Sequence, residues 1–215
     1  MSSLFPLLPA LLDLTGRAAV LLSGEAALAP LAGRLLDSGA GATVFAPAPS
    51  PEMAALQPSL RISARRWRPL DLAGAALVVA GAVEPRLAQA RAAARNARAL
   101  FHAPHDPAAS DVRLGAAIAG GAIAIGVTAP GLPPEVGQAL ARRVEATALA
   151  GYGRFLDAAV RAGESALRRL PDPQTHSAFW RATAEAAFRE AEHGEQAAAR
   201  DWDAWIETRL QAHGP

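Results

Sequence analysis

RAAVLLSGEAALAPLAGRLLDSGAGATVFA, residues 17–46, decides the fold. Arg17–Ser23 is a short run rich in Val and Leu, as a buried strand requires, and from Glu25 to Ser38 the apolar residues recur at helical spacing. Leu28, Leu31, Leu35 and Leu36 share the face that a sheet would cover. Gly39 stands where a helix C-terminus favours glycine, and Ala42–Ala46 (ATVFA) reads as a second strand. Strand, helix and strand in so short a span make a βαβ unit, whose strands must lie parallel.

Downstream, the pattern repeats. After the loop Pro47–Pro51 come a third strand at Leu60–Ala64, a fourth at Ala75–Ala80, a helix over Glu84–Arg98 and a fifth strand at Ala99–Ala103. Alternation at this spacing predicts an α/β fold, a Rossmann-like parallel sheet with its ligands at the carboxyl ends of the strands. The loops at those ends are Ser23–Ala27, Ala46–Pro51, Ala80–Pro85 and Ala103–Pro107. Asp111–Ile118 and Ala122–Thr128 then read as two strands of a hairpin joined by Gly120 and Gly121. From Pro134 the pattern is helical to the end, with breaks expected at Gly151–Gly153, Pro171–Pro173 and Gly194. The implied domains are a Rossmann-like nucleotide-binding type over 1–110, a small dimerisation element over 111–150 and a helical region over 151–215.

Composition limits the functions open to this chain. Just over half of the 215 residues are apolar and 19% are charged, enough for a substantial core. A net charge of +1 lacks the basic excess of a nucleic-acid or membrane-surface protein, so neither partner is expected. There is no Lys, which excludes a P-loop or Schiff-base lysine, and no Cys, which excludes disulfides, thiolate metal sites and a cysteine nucleophile. The opening MSSLFPLLPALLDLTG has no basic stretch, and Pro6, Pro9 and Asp13 interrupt it, so neither a signal peptide nor a membrane span is expected. A cytoplasmic location follows as the expectation. Neither a GxSxG elbow nor an HExxH helix is present.

Five segments occur in a telling order: LFPLLPALLDLTGRAAVLLSG, LLDSGAGATVFAPAPSPEM, DLAGAALVVAG, FHAPHDPAASD and AIAIGVTAPGLPPEVGQALARRVE. Together they resemble the N-terminal module of siroheme synthases, the precorrin-2 dehydrogenase and sirohydrochlorin ferrochelatase family, over roughly residues 4–150. The helical tail with SAFWRATAEAAF resembles that family's less distinctive C-terminal part. The resemblance implies a homodimer, a Rossmann domain carrying NAD, and a cleft for a polycarboxylated tetrapyrrole. It also implies NAD-dependent oxidation of precorrin-2 to sirohydrochlorin, insertion of ferrous iron, or both.

Three sites depart from the family pattern. Where relatives have three glycines, this chain has Ser23, Gly24 and Glu25. A side chain at position 25 would intrude on the phosphate path and its carboxylate would repel a pyrophosphate, so weak or absent NAD binding is expected. Glu25 reads either as a favourable acidic residue in a first helical turn or as part of an altered dinucleotide loop. At the family's acid/base aspartate stands His105, followed by Asp106. His105 can move protons or bind metal, iron included, or it is a solvated loop residue. His102 reads as a packed or hydrogen-bonded group. In TAPGLPP, Gly131 and Pro134 match the family while hydroxyl positions have become Leu132 and Pro133; the loop offers backbone donors to a ligand carboxylate, or simply starts a helix. Arg113 and Arg142 are candidate carboxylate partners, since arginine forks bind carboxylates in bidentate fashion. Trp180, Trp202 and Trp205 read as helix-packing or dimer anchors. A siroheme-pathway enzyme is one reading; a non-dehydrogenase that binds, delivers or regulates through the same tetrapyrrole cleft is the other.

Overall fold

Strand β1 (Ala18–Leu21) lies at the centre of a five-stranded, wholly parallel sheet in the order β3-β2-β1-β4-β5. In this computed structural model, which describes residues 8–82, 84–120, 123–128, 134–146, 150–191 and 200–213, its neighbours are β2 (Gly41–Phe45), β3 (Arg61–Ser63), β4 (Ala75–Val79) and β5 (Leu100–His102). Side chains alternate across the pleat. Ala19, Leu21, Val44, Leu77 and Val79 enter one core with helix α1 (Ala29–Asp37), through Leu31 and Leu35. Val20, Phe45, Val78 and Phe101 enter the other core with α3 (Leu87–Asn96), through Ala90, Ala93 and Ala94. The alanines of α3 let its backbone approach the sheet closely.

The βαβ reading holds with one difference. The helix expected over Glu25–Ser38 is split, with a tight turn of 3₁₀ helix over Ala26–Leu28 before α1. Pro30 in the first turn of α1 lacks an N–H and fits there without loss. At the other end, Ala40 N donates to Leu35 O (3.0 Å) and Gly39 N to Leu36 O (2.9 Å), with Gly39 at φ +77°. That is the paired bonding by which a left-handed glycine closes a helix.

Residues Met1–Leu114 form one compact unit and Gly115–Pro215 a second. The second begins with an antiparallel hairpin, β6 (Ala116–Gly120) and β7 (Ile123–Val127), followed by α4 (Pro134–Val144). The strand expected from Asp111 therefore starts five residues later. Asp111 N and Val112 N both donate to Phe101 O, which ties that segment to β5. Helix α5 (Ala150–Arg169) runs through Gly151 and Gly153, so the expected break there is absent; α6 (Pro173–Ala191) follows the break at Pro171–Pro173. Gly194 lies outside the described residues. Phe155, Phe179, Trp202, Ile206 and Leu210 form the core between α5, α6 and α7 (Trp202–His213), with Trp180 and Trp205 at its margin. The rings of Phe155 and Trp202 meet edge to face at 5.4 Å, so these tryptophans do anchor helices. Among the described residues no helix is long and apolar enough to cross a membrane.

Candidate functional site

The sheet order reverses at β1 and β4, and this is where an open α/β sheet leaves a crevice at its carboxyl edge. A cleft of about 390 Å³ lies there, lined by Ser23, Gly24 and Glu25 after β1, Phe45–Ala48 and Ser50 after β2, Arg66 and Trp67 after β3, and Glu84–Arg86 after β4. Three of the four loops expected to carry ligands thus converge.

The loop after β1 is held by its own chain. Ser23 is buried and its Oγ accepts from Glu25 N at 3.3 Å. Glu25 Oε1 accepts from Ala82 N at 2.9 Å, bridging the tips of β1 and β4. Glu25 precedes the helix and makes no capping bond, so it is not an acidic residue of the first turn. Ser50 N donates to Gly24 O at 2.8 Å, while Ser50 Oγ caps α2 (Pro51–Ala54) by accepting from Met53 N. A Cβ on Gly24 would stand 2.8 Å from Ala46 Cβ and from Pro49 Cα; one on Gly81 would stand 2.7 Å from Ser23 Oγ and 2.9 Å from Glu25 Cδ. Both glycines are needed for contact with protein atoms. In a dinucleotide site that space belongs to the pyrophosphate, which meets helix N-terminal amides. Here the residues present do not fit a pyrophosphate: the Glu25 carboxylate is fixed in the loop after β1, Glu25 N is taken by Ser23 Oγ, and a 3₁₀ turn stands where the helix should begin.

The opposite edge of the cleft is basic and aromatic. Arg65 forms a forked pair with Asp71, 2.7 Å at each contact, and its guanidinium lies 4.8 Å above the Phe45 ring. Those paired hydrogen bonds hold the Asp71 carboxyl below the usual carboxylate range. Trp67 is buried, donates from Nε1 to Glu84 Oε2 (2.9 Å), and carries the Arg86 guanidinium 4.4 Å over its ring. Arg86 donates to Trp67 O and its backbone N to Glu84 Oε1. Arg66 is exposed, and among the described residues it makes no ion pair.

The loop after β5 faces elsewhere. Asp106 is half-buried; its Oδ1 accepts from Ala109 N at 3.1 Å, and Ser110 Oγ donates to the carbonyls of Ala103 and Asp106. Asp106 and Ala109 line a separate cavity of about 530 Å³ with Leu87, Arg91, Arg95 and Asn96 of α3. His105 is exposed on the same loop. His102 is buried, and its Nδ1 donates to Val112 O at 3.1 Å, since a carbonyl can only accept. Burial first, then the nearby Arg34 charge, lowers its pKa to about 4, against the Val112 bond. Among the described residues no group of histidines and carboxylates is placed to hold a metal ion.

Arg113 is half-buried in the first unit, with its Nε lacking a hydrogen-bond partner. Arg142 is exposed in the last turn of α4, in the second unit. Gly131 lies outside the described residues. Sequence reasoning missed Arg66, Trp67, Glu84 and Arg86. The signal for two of them was the run RRWRP at 65–69, which places a tryptophan among arginines just after a strand.

Strand order and the crevice at its reversal define a Rossmann-type nucleotide-binding architecture, and residues 10–116 match a family described as NAD(P)-binding. Over 210 residues the chain is 30% identical to a siroheme synthase of Chromobacterium violaceum, covering 96% of this chain and 44% of that one. The chain thus spans less than half the length of the curated relative it matches. Among solved structures it is similar to SirC, a precorrin-2 dehydrogenase, with a TM-score of 0.65 and 14% identity, covering 96% of this chain and all of that one. The family match, the relative and the structural neighbour together support the family of siroheme synthase N-terminal modules.

Proposed function

We propose that this chain is a siroheme-pathway protein that binds a polycarboxylated tetrapyrrole, precorrin-2 or sirohydrochlorin, as a homodimer, without carrying NAD as an oxidant. The supporting observation is the Glu25–Ala82 hydrogen bond, which fixes a carboxylate in the loop after β1 that would have to receive the cofactor's pyrophosphate. The tetrapyrrole is inferred from the family. A binding, delivery or regulatory role in the cytoplasm fits a scaffold that has kept its segments while its nucleotide loop has closed. Calorimetric titration with NAD and with sirohydrochlorin, side by side, tests this. Sirohydrochlorin binding with no measurable NAD binding is the expected outcome; submicromolar NAD binding together with precorrin-2 oxidation defeats the reading.

A second reading, iron insertion without dehydrogenation, draws on Asp106, a half-buried carboxylate lining a cavity on the loop after β5. Ferrous iron is then a substrate, and His105 and Asp106 are the groups that would contact it or take up the pyrrole protons. Sirohydrochlorin incubated with ferrous iron gives siroheme in that case and remains unchanged otherwise.

A further inference from the structure

Helix α3 gives one face to the sheet and another to a groove. Ala90, Ala93 and Ala94 enter the core. The residues beside them fall into two rows at the four-residue spacing that stacks side chains along a helix: Leu87, Arg91 and Arg95, then Ala88, Ala92 and Asn96. Both rows line the cavity of about 530 Å³ that Asp106 shares from the loop after β5. The alanines leave room there, and the arginines bring charge to it.

The charged groups of this groove do not neutralise one another. Arg91 and Arg95 stand one turn apart, a like-charge spacing that costs a helix stability, and among the described residues neither forms an ion pair. Arg91 is half-buried, and its Nε is buried without a hydrogen-bond partner. A buried N–H left in that state costs free energy. Asp106 does not supply the acceptor: its Oδ1 accepts from Ala109 N at 3.1 Å, and Ser110 Oγ holds the loop by donating to the Ala103 and Asp106 carbonyls. Two cations on the helix and one anion on the loop are thus each fixed by their own element.

The complement of such a groove carries two carboxylates and one cationic donor. A guanidinium fork takes a carboxylate through two parallel N–H donors, and side chains four residues apart on a helix start about 5–6 Å from each other, a spacing that the two ends of a short dicarboxylate span. We infer that the groove binds an acidic α-amino acid, with its carboxylates on Arg91 and Arg95 and its ammonium on Asp106. The net charge of the ligand is then opposite to that of the three residues that hold it. The site is separate from the cleft between β1 and β4 and independent of the tetrapyrrole reading.

Glutamate, glutarate and glutamine, titrated into the full chain by calorimetry, test the contacts in turn. Glutarate lacks the ammonium and glutamine the second carboxylate, and each is expected to bind about tenfold more weakly than glutamate, the scale of one charged hydrogen bond. Asp106→Asn, which keeps an oxygen for Ala109 N, should erase the preference for glutamate over glutarate. Arg91→Gln and Arg95→Gln should each erase the preference for glutamate over glutamine; Arg95 is exposed, so its variant carries the test if Arg91→Gln fails to fold, which circular dichroism verifies. No binding of glutamate at millimolar concentration, glutarate binding as tightly as glutamate, or a preference over glutarate that survives Asp106→Asn overturns the inference. Sirohydrochlorin binding, followed by absorbance in the same preparations, reports on the proposed function separately. It should be unchanged by saturating glutamate, and mutual exclusion of the two overturns a separate site.

Discussion

A proton added to His102 would sit on a ring that is 5% exposed and within the field of Arg34, with the Val112 carbonyl as its one favourable contact. The folded pKa is therefore lowered to about 4 from the ordinary 6.5. Between those values the unfolded chain binds a proton that the folded chain refuses, so stability is complete above the upper value and falls as pH drops through the window. The loss is on the order of 3 kcal/mol. His102→Asn, which keeps a donor for Val112 O, should flatten that slope; denaturant titrations on either side of the window measure it. His105 and Asp106 call for a different test. Asp106→Asn keeps an oxygen to accept Ala109 N and so removes charge without opening the loop. If iron insertion occurs, His105→Ala should lower turnover by ~10²–10⁴ and Asp106→Asn by less. Equal turnover in wild type and His105→Ala ends the case for that histidine.

Helix α5 contains Gly163, and a Cβ built there meets nothing within 4 Å. Gly163→Ala should stabilise the chain by about 0.5–1 kcal/mol, because alanine restricts the unfolded backbone and costs the helix nothing. Chemical denaturation reads this; a destabilised variant would mean that the position packs against something. The same glycines show where sequence reading stops. Gly39 was legible, because its place after an amphipathic run required a left-handed residue. Gly151 and Gly153 looked like breakers, yet the helix carries Phe155, fully buried in the core of the second unit, and that packing outweighs local propensity. Val112 and Leu114 alternate with polar neighbours as a strand would, but they pack against the sheet's core as partly buried residues. At the site, the loops at the strand tips could be read from alternation alone. The Trp67–Glu84–Arg86 cluster could not, because a contact between residues so far apart leaves no period in the chain.

Each unit carries apolar surface of its own kind. The second exposes Val136 and Leu140 on α4 and Val160 and Leu167 on α5, two helices of one region. Side chains of this size left in water on two helices of one unit are candidates for an association surface. The dimer proposed above should use the hairpin region and these helices. Sedimentation at micromolar concentration is expected to give a dimer, and Val160→Glu with Leu167→Glu should shift it towards monomer. A wild-type monomer at that concentration removes the homodimer from the proposal.

Because Glu25 is part of the same chain as the amide it holds, it acts as a tethered competitor. Its effective concentration at Ala82 N is fixed by the loop, at the order of millimolar or above for a short connection. On the proposed reading, a phosphate that needs this space must displace a ligand that never diffuses away, and its apparent dissociation constant rises accordingly. If the proposed function holds, cofactor at the levels that saturate an open glycine loop would leave this one largely empty.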